Sequence, residues 1–229
     1  MPRAMINLDV TSQWYPPRLR DKGLSERYPS LAVAGDARLL DQPLLGLLCS
    51  MRCPGRVILA AYELARSLRG AAVAVVGGFH SPMEKECLDL LLRGAQPVVI
   101  CPARSIGPMR IPPPWVEGIK AGRVLVVSPF DEPARRVTSD LAARRNQFVA
   151  ALAQEVMVLH ANPGGRIEGL CHELATAGAP VWTLDLPENA AALQAGALPT
   201  TLERFAPEWR TRNPSPNPAI ANIPPSTLC

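Results

Sequence analysis

No stretch of this 229-residue chain approaches the ~20 consecutive apolar residues that a membrane-spanning helix needs. Residues 1–20 hold no continuous apolar run either, so no signal peptide and no membrane partner are expected, and the chain reads as cytoplasmic. None of its six cysteines (Cys49, Cys53, Cys87, Cys101, Cys171 and Cys229) forms a C-x-x-C pair, and the histidines do not fall at zinc-ligand spacing. No metal site is expected, and the cysteines read as small buried hydrophobes in a reducing compartment. There is no Walker loop and no serine–histidine–aspartate pattern. Glu84, Glu86, Glu168 and Glu173 show no spacing that demands acid–base work. No catalytic residue and no cofactor is therefore assigned. A large excess of one charge is missing too: 24 Lys and Arg face 20 Asp and Glu. The net +4 permits a nucleic-acid partner without requiring one.

Proline, by contrast, is abundant at 25 residues, much of it at the two ends and in one central loop. That distribution predicts an irregular N-terminal arm over 1–40, an ordered domain over 41–204 and a disordered proline-rich tail over 205–229. Tyr15-Pro16-Pro17 and Tyr28-Pro29 cannot sit inside helices, and the arm is free to lie across the domain or cover a sheet edge.

Six short apolar runs lie at 44–48, 73–76, 97–100, 124–127, 156–159 and 180–183, with helix-like segments at 56–68, 82–93, 138–153 and 166–177 between them. The segment 104–120 reads as a loop with a short helix. The runs are continuously apolar, as strands are when helices cover both faces of a parallel sheet. The fold class predicted is α/β: a doubly wound, mostly parallel, Rossmann-like sheet with helices on both faces. In such folds ligands sit beyond the carboxyl ends of the strands.

The turns at those ends carry the candidate residues. The first is Cys49-Ser50-Met51-Arg52, the second Gly77-Gly78-Phe79-His80-Ser81-Pro82, the fourth Asn162-Pro163-Gly164-Gly165. A strand running through glycine into a helix start leaves backbone N–H groups and the positive end of a helix dipole free for an anion. Ser81 suits an N-cap and Pro82 the first helical position. The phosphate-binding candidates from these turns are Ser50, Arg52, Gly77, Gly78, Phe79, His80, Ser81, Gly164 and Gly165. His160 and His172 read as structural.

Arg145 and Asn146 complete the set. Leu141, Phe148 and Leu152 mark one helical stripe by spacing, and Arg145 lies in the middle of it. A guanidinium there must find a partner, reach water, or aim into an anion site. Arg135, Arg136 and Arg144 stand close by, interspersed with Asp131, Glu132 and Asp140.

In their order these motifs resemble the Rossmann-type domain of the DNA-processing protein A (Smf) family of the SLOG superfamily. The segment Arg145-Asn146-Gln147-Phe148-Val149-Ala150-Ala151-Leu152 is the closest counterpart, the three turns fall in the family's order, and Tyr28-Pro29 resembles its leading segment. The likeness spans roughly 28–198. It implies binding of single-stranded DNA or a related nucleotide ligand, a homodimer, and hand-off of DNA to a recombinase during DNA uptake or recombination. Two alternatives stay open. Pro163-Gly164-Gly165 also resembles a motif of the LOG nucleoside monophosphate phosphoribohydrolases, although Ile167, Glu168 and Cys171 stand at that motif's functional positions. A non-catalytic nucleotide sensor would use the same turns.

Overall fold

The computed structural model describes residues 5–131 and 137–214. Nine strands form one sheet: β1 (Ile6–Asp9), β2 (Ser30–Gly35), β3 (Leu45–Cys49), β4 (Val75–Gly77), β5 (Val98–Ile100), β6 (Val124–Ser128), β7 (Glu155–His160), β8 (Val181–Leu184) and β9 (Leu198–Thr200). Their order across the sheet is β1-β2-β6-β5-β4-β3-β7-β8-β9. From β6 through β9 every pairing is parallel, while β1 and β2 are antiparallel additions at the β6 border.

Chain order runs outward from β3 to β6, then crosses back to β7 on the other side of β3. That reversal is the topological switch point of a doubly wound sheet, and the ends of β3 and β7 flank it. All residues of both strands are buried. Each face carries its own apolar layer. Leu45, Leu47 and Val75 pack beneath α2 (Gly55–Gly70), α3 (Pro82–Leu91) and α4 (Pro113–Lys120), with Phe205 and Trp209 of a C-terminal helix. Leu44, Leu48, Val76 and Val158 pack beneath α1 (Pro17–Asp21), α5 (Ser139–Leu152), α6 (Arg166–Thr176) and α7 (Ala190–Gln194). The predicted fold class is the one observed, and its six predicted strands are β3 to β8 within two residues at each end.

Two expectations about the flanks are corrected. Residues 1–40 are not an irregular arm: where described, they supply β1, α1 and β2. Leu31 and Val33 of β2 are fully buried, and β2 pairs with β6 from Ala32↔Ser128 to Gly35↔Leu125. Tyr15 is fully buried, its hydroxyl donating to the Tyr28 carbonyl at 2.7 Å, and Tyr28 meets Phe148 of α5 with ring centroids 5.0 Å apart. The prolines flank these elements rather than interrupt them. At the other end, residues 205–212 are not disordered but belong to α8 (Leu202–Arg212), with Pro207 inside it. Proline there removes one backbone bond. Burial of Phe205, Ala206 and Trp209 and the pair of Arg212 with Glu155 hold the helix regardless. The tail expected over 215–229 lies outside the described residues.

Candidate functional site

At the switch point a crevice of about 450 Å³ opens. Its floor is the end of β3 (Cys49, Ser50, Met51), its sides the starts of α3 (His80, Ser81, Glu84) and α6 (Gly165, Arg166, Ile167), and its roof α5 (Ala142, Arg145, Asn146).

The second turn was expected to offer its amides to an external anion. Instead it holds one of its own. Glu84 is 2 % exposed. One carboxylate oxygen accepts the N–H of Cys49 at 2.8 Å; the other accepts the N–H groups of His80 at 2.8 Å and Ser81 at 3.2 Å. Ser81 answers by accepting the Glu84 N–H at 3.2 Å, which completes a capping box. The His80 and Ser81 donors of that turn are thereby satisfied, and the carboxylate sits against the positive end of the α3 dipole. Phe79 adopts φ +47° here, and its ring folds back to within 3.0 Å of the site a Gly77 Cβ would fill.

The close approach that Gly78 permits is made by Arg145. A Cβ at Gly78 would overlap the guanidinium. Arg145 is 4 % exposed, and its Nε donates to Asn146 Oδ1 at 2.8 Å. Among the described residues its terminal nitrogens donate no hydrogen bond. Burial pulls its pKa below the ordinary arginine value and the nearby Glu84 carboxylate pulls it back; the group remains a cation. The stripe Leu141–Phe148–Leu152 thus sinks Arg145 beneath α5 and points its head into the crevice, where it is held but not spent.

The fourth turn does leave amides open. Gly164 takes φ +67°, a conformation suited to glycine, and its N–H donates to Glu168 at 2.6 Å. Gly165 is the N-cap of the 11-residue α6. The next amides, of Arg166, Ile167 and Glu168, have no intrahelical acceptor, and Arg166 and Ile167 line the crevice. The Arg166 guanidinium reaches over to α5, donating to the Ser139 carbonyl and, at 3.1 Å, to Asp140.

Hydrogen bonds stitch the first turn to the fourth. The Ser50 N–H donates to the His160 carbonyl, and the Asn162 N–H donates to Ser50 Oγ, each at 2.9 Å. His160, buried at the end of β7, sits 3.1 Å from both Asn189 Oδ1 (through Nδ1) and Asn162 Oδ1 (through Nε2). The Asn189 amide nitrogen donates to the Leu184 carbonyl, so its oxygen is the atom facing Nδ1, and Nδ1 carries a proton.

Of the sequence-predicted residues, Ser50, His80, Ser81, Arg145, Asn146 and Gly165 line the crevice together. Gly77 and Phe79 lie below it in the packing, Gly78 lies under Arg145, and Gly164 shapes the α6 entry from outside. Arg52 is exposed on the first turn and does not line the crevice. Arg144 lies over the Phe130 ring, 5.2 Å from its centroid. Arg135 and Arg136 fall outside the described residues. Sequence reasoning missed Glu84, Asn162 and Arg166. The spacing Ser81-x-x-Glu84 is a capping-box signature and would have found the first. Among the described residues, no group of His, Cys, Asp or Glu could hold a metal, and no helix is long and apolar enough to cross a membrane.

A sequence model of the family described as DNA recombination-mediator protein A matches residues 7–173. No curated protein matches in sequence. Among solved structures, DNA processing protein A from Streptococcus pneumoniae superposes with a TM-score of 0.71 at 16% identity, over 89% of this chain and 75% of that one. DNA processing protein A from Helicobacter pylori, in a structure concerned with its single-stranded DNA binding mode, gives 0.69 at 18%, over 91% and 97%. The molybdenum cofactor binding protein of Rippkaea orientalis gives 0.51 at 9%, over 75% and 97%. At these identities the likeness to solved structures establishes the fold.

Proposed function

The chain belongs to the DNA recombination-mediator protein A family, and from that premise we propose that it binds single-stranded DNA in the crevice between the ends of β3 and β7, as part of DNA processing in uptake or recombination. One observation carries the reading: Arg145 is a buried cation whose terminal nitrogens are uncommitted among the described residues, facing a crevice that the first turn of α6, with its open amides, also lines. A phosphate placed there accepts charge-assisted hydrogen bonds from the guanidinium and from the α6 amides. Arg166 at the rim adds a second positive charge, and Asn146 orients the first by accepting its Nε–H. Such contacts grip the backbone and carry little base selectivity. Ser50, His80, Ser81 and Gly165 shape the walls, Gly77, Gly78, Phe79 and Gly164 hold the turns beneath and beside them, and Arg52 meets the strand farther out on the first turn.

A homodimer that passes its strand to a recombinase completes the proposal; light scattering of the purified chain reports the first part. The phosphoribohydrolase alternative gains no support, because Glu168 is engaged with the Gly164 amide and Glu84 with three others.

Binding of a fluorescent oligothymidylate across a salt series tests the reading. Affinity falls with salt by a slope of about 0.7 per phosphate neutralised. Arg145→Ala weakens it about tenfold or more, the worth of a hydrogen bond to a charged group, with an unchanged melting temperature or a small loss. Full affinity in that variant, or release of free base from a nucleoside monophosphate, overturns the proposal.

A further inference from the structure

The crevice has a continuation. Ala143, Asn146 and Arg166 line both the crevice and a neighbouring hollow of about 240 Å³ between α5 and α6. Gln147, Leu170 and Glu173 line that hollow and, in turn, a larger cavity of about 620 Å³. Three cations of the N-terminal segment, Arg18, Lys22 and Arg27, border this last cavity. The three spaces share walls one after another and make a single groove along the α5–α6 seam. We propose that a single strand leaving the crevice follows this groove, and that Arg18, Lys22 and Arg27 hold its phosphates at the far end.

The far cavity suits an anion for reasons of charge. α5 ends there, and the carbonyls of a helix C-terminus repel phosphate. Lys22 removes that obstacle, its Nζ donating to the Ala150 and Ala151 carbonyls at 3.2 Å each. Burial, with Arg18 close by, draws the Lys22 pKa down to about 8, and an anion alongside opposes that pull. Arg18 is half-buried, and among the described residues its Nε is shut off from solvent without a hydrogen-bond partner. Arg27 is exposed, donating to Gln147 and lying 5.5 Å from the Tyr28 ring centroid. Two carboxylates oppose them, Glu173 on the α6 wall and Asp21 near Arg18. Arg166, where crevice and hollow join, pairs with Asp140 at 3.1 Å.

Length decides what kind of anion fits. From Ala142, which lines the crevice, to Ala151, which lines the far cavity, α5 advances about 14 Å. At the ~3.4 Å rise of a stacked strand that distance is about four nucleotides. A ligand that touches both ends is therefore a strand rather than a mononucleotide, and a trimer with its two internal phosphates is too short to bridge them.

Fluorescent trithymidylate and decathymidylate, titrated across a salt series, test this path. It rests on the strand-binding reading, and the trimer keeps the two apart. The double variant Arg18→Gln/Arg27→Gln, checked for an unchanged melting temperature, is expected to bind the decamer about fivefold or more weakly, with a salt slope smaller by about 1.4, or about 0.7 for each phosphate released. Its trimer affinity equals the parent's. Should that variant fold poorly, Glu173→Lys at an exposed position of α6 supplies the opposite arm. A cation added to the groove tightens the decamer about threefold or more and leaves the trimer unchanged. Parental decamer affinity in either folded variant, or an equal loss of trimer and decamer in the double variant, overturns the groove. A parent that binds the trimer and gains nothing from the decamer also overturns the groove, and leaves the crevice reading standing. Binding of neither length by the parent overturns the crevice reading and the path with it.

Discussion

At the scale of single residues, the crevice works by two buried charges treated in opposite ways. Glu84 is consumed by three backbone amides and serves the architecture. Arg145 spends one nitrogen on Asn146 and, among the described residues, keeps the rest. Gly78→Ala would drive a methyl group into the guanidinium. We expect it to weaken strand binding about as much as Arg145→Ala, while crowding costs about 1–3 kcal/mol of stability by urea denaturation. Glu84→Gln leaves one of the clustered amides facing an NH₂ group, and we expect a stability loss of roughly 1–3 kcal/mol in the same assay. Arg145 was legible in the sequence because an arginine breaking an apolar stripe needs only helical spacing to be noticed. The reach of Glu84 was half legible. Its local bond to Ser81 follows from four consecutive residues, but its bond to Cys49 joins the first turn of α3 to the end of β3, 35 residues apart in the chain, which only the sheet order brings together.

Among elements, the strands buried on both faces were readable because a short, unbroken apolar run bounded by turn residues suits little besides the middle of a covered sheet. The flanking elements were not, since their signals are mixed. β2 lies between prolines and charges, and α8 contains Pro207 and five charged residues, Glu203, Arg204, Glu208, Arg210 and Arg212. What fixes α8 is tertiary: Trp182 meets Phe205 edge-on with centroids 6.0 Å apart, and Arg212 clasps Glu155 with two hydrogen bonds of 2.9 and 3.0 Å. Burial alone would raise the Glu155 pKa, but the bonds from Arg212 and Asn213 outweigh it, and the net shift is downward from 4.5. A carboxylate whose folded pKa is depressed adds stability that is present above the unfolded value and lost as pH falls through the folded one. Thermal melts should therefore show Glu155→Gln less stable than the parent at neutral pH, with the gap narrowing as pH drops below 4.5.

For the molecule as a whole, the N-terminal segment closes the β6 border of the sheet and covers Phe148 beneath α5. Deleting residues 1–35 bares the β6 edge and the apolar layer under Tyr15 and Leu19. Unpaired strand edges recruit other chains, so the shortened protein should elute as aggregates in size-exclusion chromatography, where the full chain gives a discrete species.

The bonds that tie Ser50 to His160 and Asn162 reach furthest. They rivet the first turn to the fourth across the switch point, so these two walls of the crevice do not swing apart from one another. On the proposed reading, an arriving strand meets a seat already built. In a stopped-flow experiment the observed rate should climb in proportion to oligonucleotide concentration, without the plateau that a slow opening step imposes.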